Sequence, residues 1–482
     1  MSKNLESKTA SGMTFKMLER ISVQLVSLVV SVVLARLLDP ADYGIIAMAN
    51  VLITVLNVFV NYGLGTAIIH KKNADQTDIS TCFWASLMLA VVLYAVVFVL
   101  AAPVAAYFQM ELLKPVIRIL GLQLIFAIIN SVQTALVAKQ FMYRQYFVLT
   151  LIASVISGIV GIAMAYWGFG IWSLVVQTLV SIGLVTLFSA MLLRWKPAAV
   201  FSVAILKEQI VYAWRLLVVG FVDCVYAELR SVIIAKKYSS EDLAFYNKGA
   251  QFPKLISNTV NQSVIAVLFP VMSILQDDAQ KVRDFVKKTL SLLTFVLFPV
   301  MVGLLAVSED LVLILLTDKW LFCVPYMQVL CLAYLITPVQ SVYKQALKAL
   351  GQTKILMNTN MWEKIIGILL LLLAVPFGVD AICWSFVIYH IVGLLLYMVA
   401  VKEIIGYHFW IQLKDFLPNV VLSAAMLICV SLIGELSIIP YLRLLLQVVT
   451  GAAVYVLVAL ITKNANVFTI KQKIKNMLIR SK

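Results

Sequence analysis

The gaps between the apolar runs of this chain are too short to hold a soluble domain. That excludes a separate catalytic or nucleotide-binding module. There is no GxxxxGK[ST] phosphate loop and no HExxH zinc motif. The three histidines, His70, His390 and His408, lie far apart and have no metal-ligand spacing. The six cysteines (82, 224, 323, 331, 383 and 429) stand alone, mostly inside apolar runs, and form no CxxC pair. Buried free thiols are expected rather than a disulfide framework. Charge is scarce. Charged residues make up 13% of the chain, against about 25% in a soluble domain. The acids on the side with few cations are scattered in short turns, whereas a membrane glycosyltransferase would gather them in one sizeable loop. The residue supply therefore favours moving a cargo over altering it: no catalytic residue, metal or organic cofactor is expected, and the chain is not expected to be an enzyme.

What is present is a series of fourteen apolar segments, near 14–38, 42–69, 81–108, 115–138, 145–167, 170–193, 209–235, 245–276, 285–307, 321–347, 355–376, 380–401, 415–437 and 440–462. Each is long enough to cross a hydrocarbon core, which takes about 20 helical residues. Lys and Arg crowd into alternate gaps. The cation-poor gaps hold only Arg36, Lys114, Arg118, Lys236, Lys237, Lys248, Lys319 and Arg443, and Arg215, Arg230, Lys254 and Lys364 fall inside segments. The rest of the 38 Lys and Arg lie on the other side. Because cytoplasmic loops retain positive charge, both termini are expected inside. The net charge of +15 is spread over membrane-flanking loops rather than one basic face, which argues against nucleic acid. The polar N-terminus leads directly into a full-length span, so no cleavable leader is expected.

Charged groups within a bilayer cost about 2.5–3.5 kcal/mol each on insertion scales, so their arrangement is informative. Segment 1 carries Lys16, Arg20, Gln24, Ser27 and Ser31, and segment 2 carries Asn50, Thr54, Asn57 and Asn61. Segment 7 carries Arg215, Asp223, Tyr226 and Arg230; segment 8 carries Asn247, Gln251, Lys254, Asn258, Asn261 and Gln262. Within each set most residues are three or four apart, or a multiple, and so share one helical face. Interhelical hydrogen bonding explains single amides. A water-filled cavity lined by segments 1, 2, 7 and 8 explains four stripes that include cations. Glu228 falls on the opposite face of segment 7 and reads as structural. Glu363 and Lys364 read as snorkelling from the inner end of segment 11.

The striped pairs 1–2 and 7–8 suggest an internal repeat. Ala35–Asp42 precede segment 2 and Ala235–Asp242 precede segment 8, with basic and acidic positions recurring at an offset of 200. The fold class expected is an all-α polytopic membrane protein of about 14 transmembrane helices: two pseudo-symmetric six-helix bundles, over 1–200 and 201–402, then two additional helices over 403–463. Residues 464–482 form a basic tail. Ile470, Ile474, Met477 and Leu478 share a face there, which suits a helix lying on an anionic membrane surface.

The stretch Ala35-Arg36-Leu37-Leu38-Asp39-Pro40-Ala41-Asp42-Tyr43-Gly44 leads into an Asn-bearing helix. That helix ends in Asn61-Tyr62-Gly63-Leu64-Gly65-Thr66-Ala67-Ile68-Ile69 before His70-Lys71-Lys72. This resembles polysaccharide exporters of the Wzx/WzxC type, lipid-linked oligosaccharide flippases of the multidrug/oligosaccharidyl-lipid/polysaccharide superfamily. The resemblance covers essentially the whole chain and is a family signature rather than a catalytic one. It implies movement of an undecaprenyl-diphosphate-linked glycan from the cytoplasmic to the outer leaflet of a bacterial cytoplasmic membrane, by alternating access around a cationic cavity. Arg20, Arg215, Arg230 and Lys254 suit the diphosphate; Gln24, Asn57, Asn61, Tyr226, Asn258, Asn261 and Gln262 suit the glycan. Asp223 is the candidate for coupling to H⁺ or Na⁺. Membrane lipids, a polysaccharide polymerase and other export-complex proteins are the expected partners, and no nucleic acid. Two alternatives stand beside this reading: a small-molecule antiporter similar to the drug-exporting branch of the superfamily, and a non-transporting scaffold subunit of a polysaccharide-synthesis complex.

Overall fold

The structure is a computed structural model that describes residues 3–61, 75–464, 466 and 467, with the side chains of all but 3–14, 17, 61, 208–213, 215, 216 and 219. Among the described residues there are sixteen α-helices, two short 3₁₀ turns and no strand. Thirteen of the spans they form are long and apolar enough to cross a membrane. A helix also covers the seventh apolar segment. This is the expected all-helical membrane fold, and its physical cause is simple. Lipid offers no partner for backbone N–H and C=O groups, so each spanning segment bonds its own backbone as a helix.

By contacts the chain divides into two compact units, Met1–Ala244 and Phe245–Lys482. The first holds α1 (Lys3–Leu37), α2 (Pro40–Asn61), α3 (Gln76–Phe108), α4 (Leu113–Leu120), α5 (Gln123–Gln140), α6 (Tyr143–Tyr166), α7 (Ile171–Leu193) and α8 (Val203–Lys237). Here α1 packs on α6, α6 and α5 on α7, and α3 on α4 and α5; α2 packs against α4, α5 and α8. Segment 4 is not one straight helix. It breaks between α4 and α5 at Gly121, where a Cβ would lie 2.9 Å from Val97 Cγ1 of α3. The connection from α7 to α8 is pinned to the start of α3. Trp84 Nε1 donates to Ala198 O (2.8 Å), and Ser80 Oγ accepts from Ala198 N (3.0 Å). Gln76 accepts from Trp195 Nε1 (2.8 Å). Asp75 and Asp78 close a reciprocal capping box on α3.

α9 (Ser240–Ile274) begins in the first unit and runs into the second. The second unit continues with α10 (Ala279–Ala306), α11 (Ser308–Leu316), α12 (Val324–Ala349), α13 (Thr353–Ala374), α14 (Val379–Ile405), α15 (Phe409–Gly434) and α16 (Pro440–Ile461). The short α11 lies between segments 9 and 10 and was not expected. α12 packs on α10 and α14, α13 on α14, and α15 on both α10 and α16. The last two helices are held to this unit by polar contacts as well as apolar ones. Asn419 Nδ2 donates to Thr294 Oγ1 (2.8 Å), Tyr455 OH donates to Phe295 O (2.7 Å), and Arg443 of α16 forms a forked pair with Asp310 of α11. At the end of α14, burial and the neighbouring Asp415 push the Tyr407 hydroxyl up from its ordinary value; Tyr407 OH donates to Asp415 Oδ2 at 2.6 Å.

The helix breaks recur as the repeat suggests. α1 and α8 are each 35 residues long. They end at Leu37 and Lys237, and α2 and α9 start at Pro40 and Ser240. Gly44, in the first turn of α2, is explained by this junction: a Cβ there would run into the backbone carbonyl of Ser240.

Candidate functional site: the polar faces of four helices

Of the four striped helices, the first unit brings α2 and α8 into contact. Cys224 Sγ approaches Thr54 O at 3.6 Å, and the rings of Phe59 and Phe221 meet edge to face at 6.0 Å. α1 packs on α6, with Val30, Leu34, Ala165 and Leu174 in one apolar cluster. Its polar face is left to other uses: Arg20 is exposed and Gln24 half-buried. On α2, Asn57 is half-buried; Asn61 is the last helical residue, and its side chain lies outside those described. The signature that follows, residues 62–72, lies outside the described residues, as does the tail from 468 onward and the side chain of Arg215.

Arg230 is buried, 3% exposed. Its guanidinium lies 5.5 Å from the centroid of the Tyr226 ring, and Nη2 donates to Tyr226 OH at 3.4 Å. The four-residue spacing predicted this meeting, and Tyr226 holds the cation at a fixed place. Asp223 was expected to be desolvated near the middle of segment 7. It is exposed instead. The helical wheel gave its face correctly, but a wheel cannot say whether that face is covered.

On α9, Lys254, Asn258 and Gln262 are all exposed, and Asn261 is half-buried. The three exposed residues are each one turn apart and form a strip along one side of the helix. Asn261 Oδ1 is buried without a hydrogen-bond partner. Other positions of the helix are fastened to the second unit: Ser257 Oγ donates to Tyr334 O (2.8 Å), and Leu268 and Met272 join its main apolar cluster. An open strip with one cation and two amides can bind anionic and hydroxylated groups. Among the described residues no group of three or more His, Cys, Asp or Glu could hold a metal ion.

One charged site escaped the sequence reading. Glu363 does not snorkel. It is 1% exposed, accepts from Tyr397 OH (3.0 Å), and pairs with Lys344 Nζ at 3.4 Å. Nearby, Gln340 Nε2 donates to His390 O at 2.9 Å. A Cβ at Gly393 would lie 2.5 Å from Glu363 Oε1. The signal available was the set of polar residues on segments 10 and 12, which the search for one cavity passed over.

The fold is shared with solved structures of membrane transporters. The structure matches the lipid II flippase MurJ in an inward closed conformation, with a TM-score of 0.75 at 15% identity over 94% of this chain and 99% of that one. It matches an inward-facing multidrug-resistance transporter of the MATE family at a TM-score of 0.60, 14% identity, over 80% of this chain and 98% of that one. Residues 33–325 match the model of a family described as "polysaccharide biosynthesis protein", and the chain belongs to that family. Among its relatives are an uncharacterised membrane protein of the cps region of Klebsiella pneumoniae (23% identical, covering 99% of this chain and 100% of the relative) and the lipopolysaccharide biosynthesis protein WzxC of Escherichia coli (22%, 88% of each). The succinoglycan biosynthesis transport protein ExoT of Rhizobium meliloti is 25% identical over 73% of this chain and 72% of its own. The chain is thus a multi-pass membrane protein of a polysaccharide-biosynthesis family.

Proposed function

We propose that this protein is a flippase for a polyprenyl-diphosphate-linked oligosaccharide, carrying it from the inner to the outer leaflet of a bacterial cytoplasmic membrane for surface polysaccharide synthesis. Both termini face the cytoplasm in this reading, and polymerase or other export-complex proteins receive the product. The observation that carries it is the open polar strip of α9. Lys254, Asn258 and Gln262 are exposed on a span with a mean hydropathy of 1.4. Such groups facing lipid would be costly; facing a head group they supply one charge partner and two amides. On α8, Arg230, beside Tyr226, is the other cation this reading assigns to the cargo. The head group passes along these faces while the prenyl tail stays in lipid, and access alternates between the two sides. Asp223 is the proposed coupling residue for H⁺ or Na⁺; an ion can bias the equilibrium only by binding one state better than the other.

The test is export in cells and flipping in proteoliposomes by Lys254→Gln and Arg230→Gln proteins. Both should reach normal abundance and lose export. Normal export at normal abundance in both would sink the proposal. Asp223→Asn should still bind the glycan lipid but transport it independently of the ion gradient.

A further inference from the structure

α4 has a two-sided character that the transport route does not use. Leu113, Val116, Ile117 and Leu120 are 0–1% exposed and fix the helix against its neighbours. Lys114 and Arg118, one turn apart, lie on the other side. They line a pocket of about 520 Å³ with Tyr94, Phe98, Pro115 and Ile119. The pocket opens outward from the first unit, since Phe98 is 44% and Ile119 37% exposed. The Arg118 guanidinium sits 4.0 Å from the centroid of the Phe98 ring, and its Nε donates to Phe98 O at 3.3 Å. One edge of the fork is thereby held, and the two terminal nitrogens are left for a ligand. Among the described residues neither Lys114 nor Arg118 pairs with a carboxylate.

Two observations make this more than a solvated face. First, the pair lies in a gap where cations are scarce, so the bias that places Lys and Arg on the cytoplasmic side does not account for it. Lys236, in the same class of gap, is explained by structure: it donates to Tyr107 O at 2.6 Å near the end of α3 and lies over the Tyr107 ring. Arg118 makes a contact of the same kind with Phe98, but no such contact accounts for Lys114 beside it in the pocket. Second, the two cations share one pocket with the exposed apolar residues Phe98 and Ile119. A ligand that fills it offers an anion to the cations and an apolar group to those walls.

We propose that this pocket binds the diphosphate of a polyprenyl diphosphate lipid in the outer leaflet, so that the cargo has a receiving site after it crosses. The identity of the lipid rests on the flippase reading. Two cations one turn apart suit two phosphoryl groups, with the guanidinium fork taking one bidentately. The open, aromatic-walled side leaves the prenyl chain in the bilayer.

The experiment uses the full chain in phosphatidylcholine nanodiscs and a benzophenone-bearing geranylgeranyl diphosphate as the probe, with labelled peptides mapped by mass spectrometry. Label is expected in α3 and α4 peptides. It should fall at least tenfold in the Lys114→Gln/Arg118→Gln protein, fall several-fold in Lys114→Gln alone, and resist excess phosphatidylglycerol. The two polar replacements lie on the open side, and unchanged helical content and melting temperature check the fold. Unchanged α3–α4 labelling in the double variant overturns the site. Displacement by phosphatidylglycerol overturns the diphosphate as its occupant. Label confined to α8 and α9 removes this site and leaves the flippase reading standing, whereas no label anywhere removes both.

Discussion

The two units treat charge differently. In the second, buried acids meet cations from the same unit: Glu363 faces Lys344 across α13 and α12, and Asp310 of α11 takes the fork of Arg443. These pairs tie helices to one another. In the first, the notable cations are held by aromatic rings. Arg230 lies against Tyr226 and Arg118 against Phe98. A ring orients a cation without itself supplying an opposite charge. The lesson is that charge content does not mark a site in a membrane protein; the partner does. α9 sharpens the point, because it fastens Ser257 to the second unit and leaves Lys254 exposed.

Substitutions can break this contrast. The largest loss of stability is expected from Glu363→Ala, which leaves Lys344 facing an apolar hole. Removing one partner of a buried pair costs about 3–5 kcal/mol, and because Lys344 is 27% exposed the lower end applies. Thermal denaturation in detergent should show a large drop, with abundance falling before any specific loss of transport. Arg443→Ala should cost somewhat less, roughly 2–3 kcal/mol, since it strands the 4%-exposed Asp310 carboxylate without its charged hydrogen bonds. A melting curve unchanged by either substitution would remove the structural role given to these pairs. Lys254→Ala should be the reverse case. Its stability should stay within about 0.5 kcal/mol of the parent, as for other open positions, while export falls. If melting temperature dropped and export followed abundance, the strip on α9 would be structure.

The smallest effect is a dependence on pH. The Asp278 carboxyl caps α10, and the Lys281 backbone N–H, then its side chain, hold it below its ordinary value. A lowered folded pKa stabilises the protein above the unfolded carboxylate pKa of about 3.9. That contribution is lost as pH falls through the folded value. Asp278→Asn should flatten this acid limb slightly in a stability titration and leave neutral stability nearly unchanged.

Much of the fold was legible because lipid imposes one rule on every segment: about 20 apolar residues, helical throughout. The junction at Ala35–Gly44 was legible for a local reason, since Pro40 starts a helix, whereas the close approach of Ser240 that Gly44 permits was not. What stayed hidden depended on neighbours distant in sequence. The break at Gly121 comes from Val97. The burial of Glu363 comes from Tyr397 and Lys344, which no period within α13 reveals. Asp223 failed in the opposite direction, its face being open. A helical period tells which residues share a side, and only packing tells what covers that side. The charge bias did carry one unused signal: Lys114 and Arg118 are among the eight cations on its sparse side.

The Arg443–Asp310 pair also has a consequence for synthesis. The two residues are 133 positions apart in the chain. At about 5–20 residues per second, Asp310 emerges on the order of ten seconds before its partner exists. During that interval the second unit carries an acid that its own helices are shaped to bury and cannot yet neutralise. The last of the described helices, α16, is therefore the one that completes the burial. A chain stopped before α16 would carry that flaw permanently, in a form that membrane quality control can read.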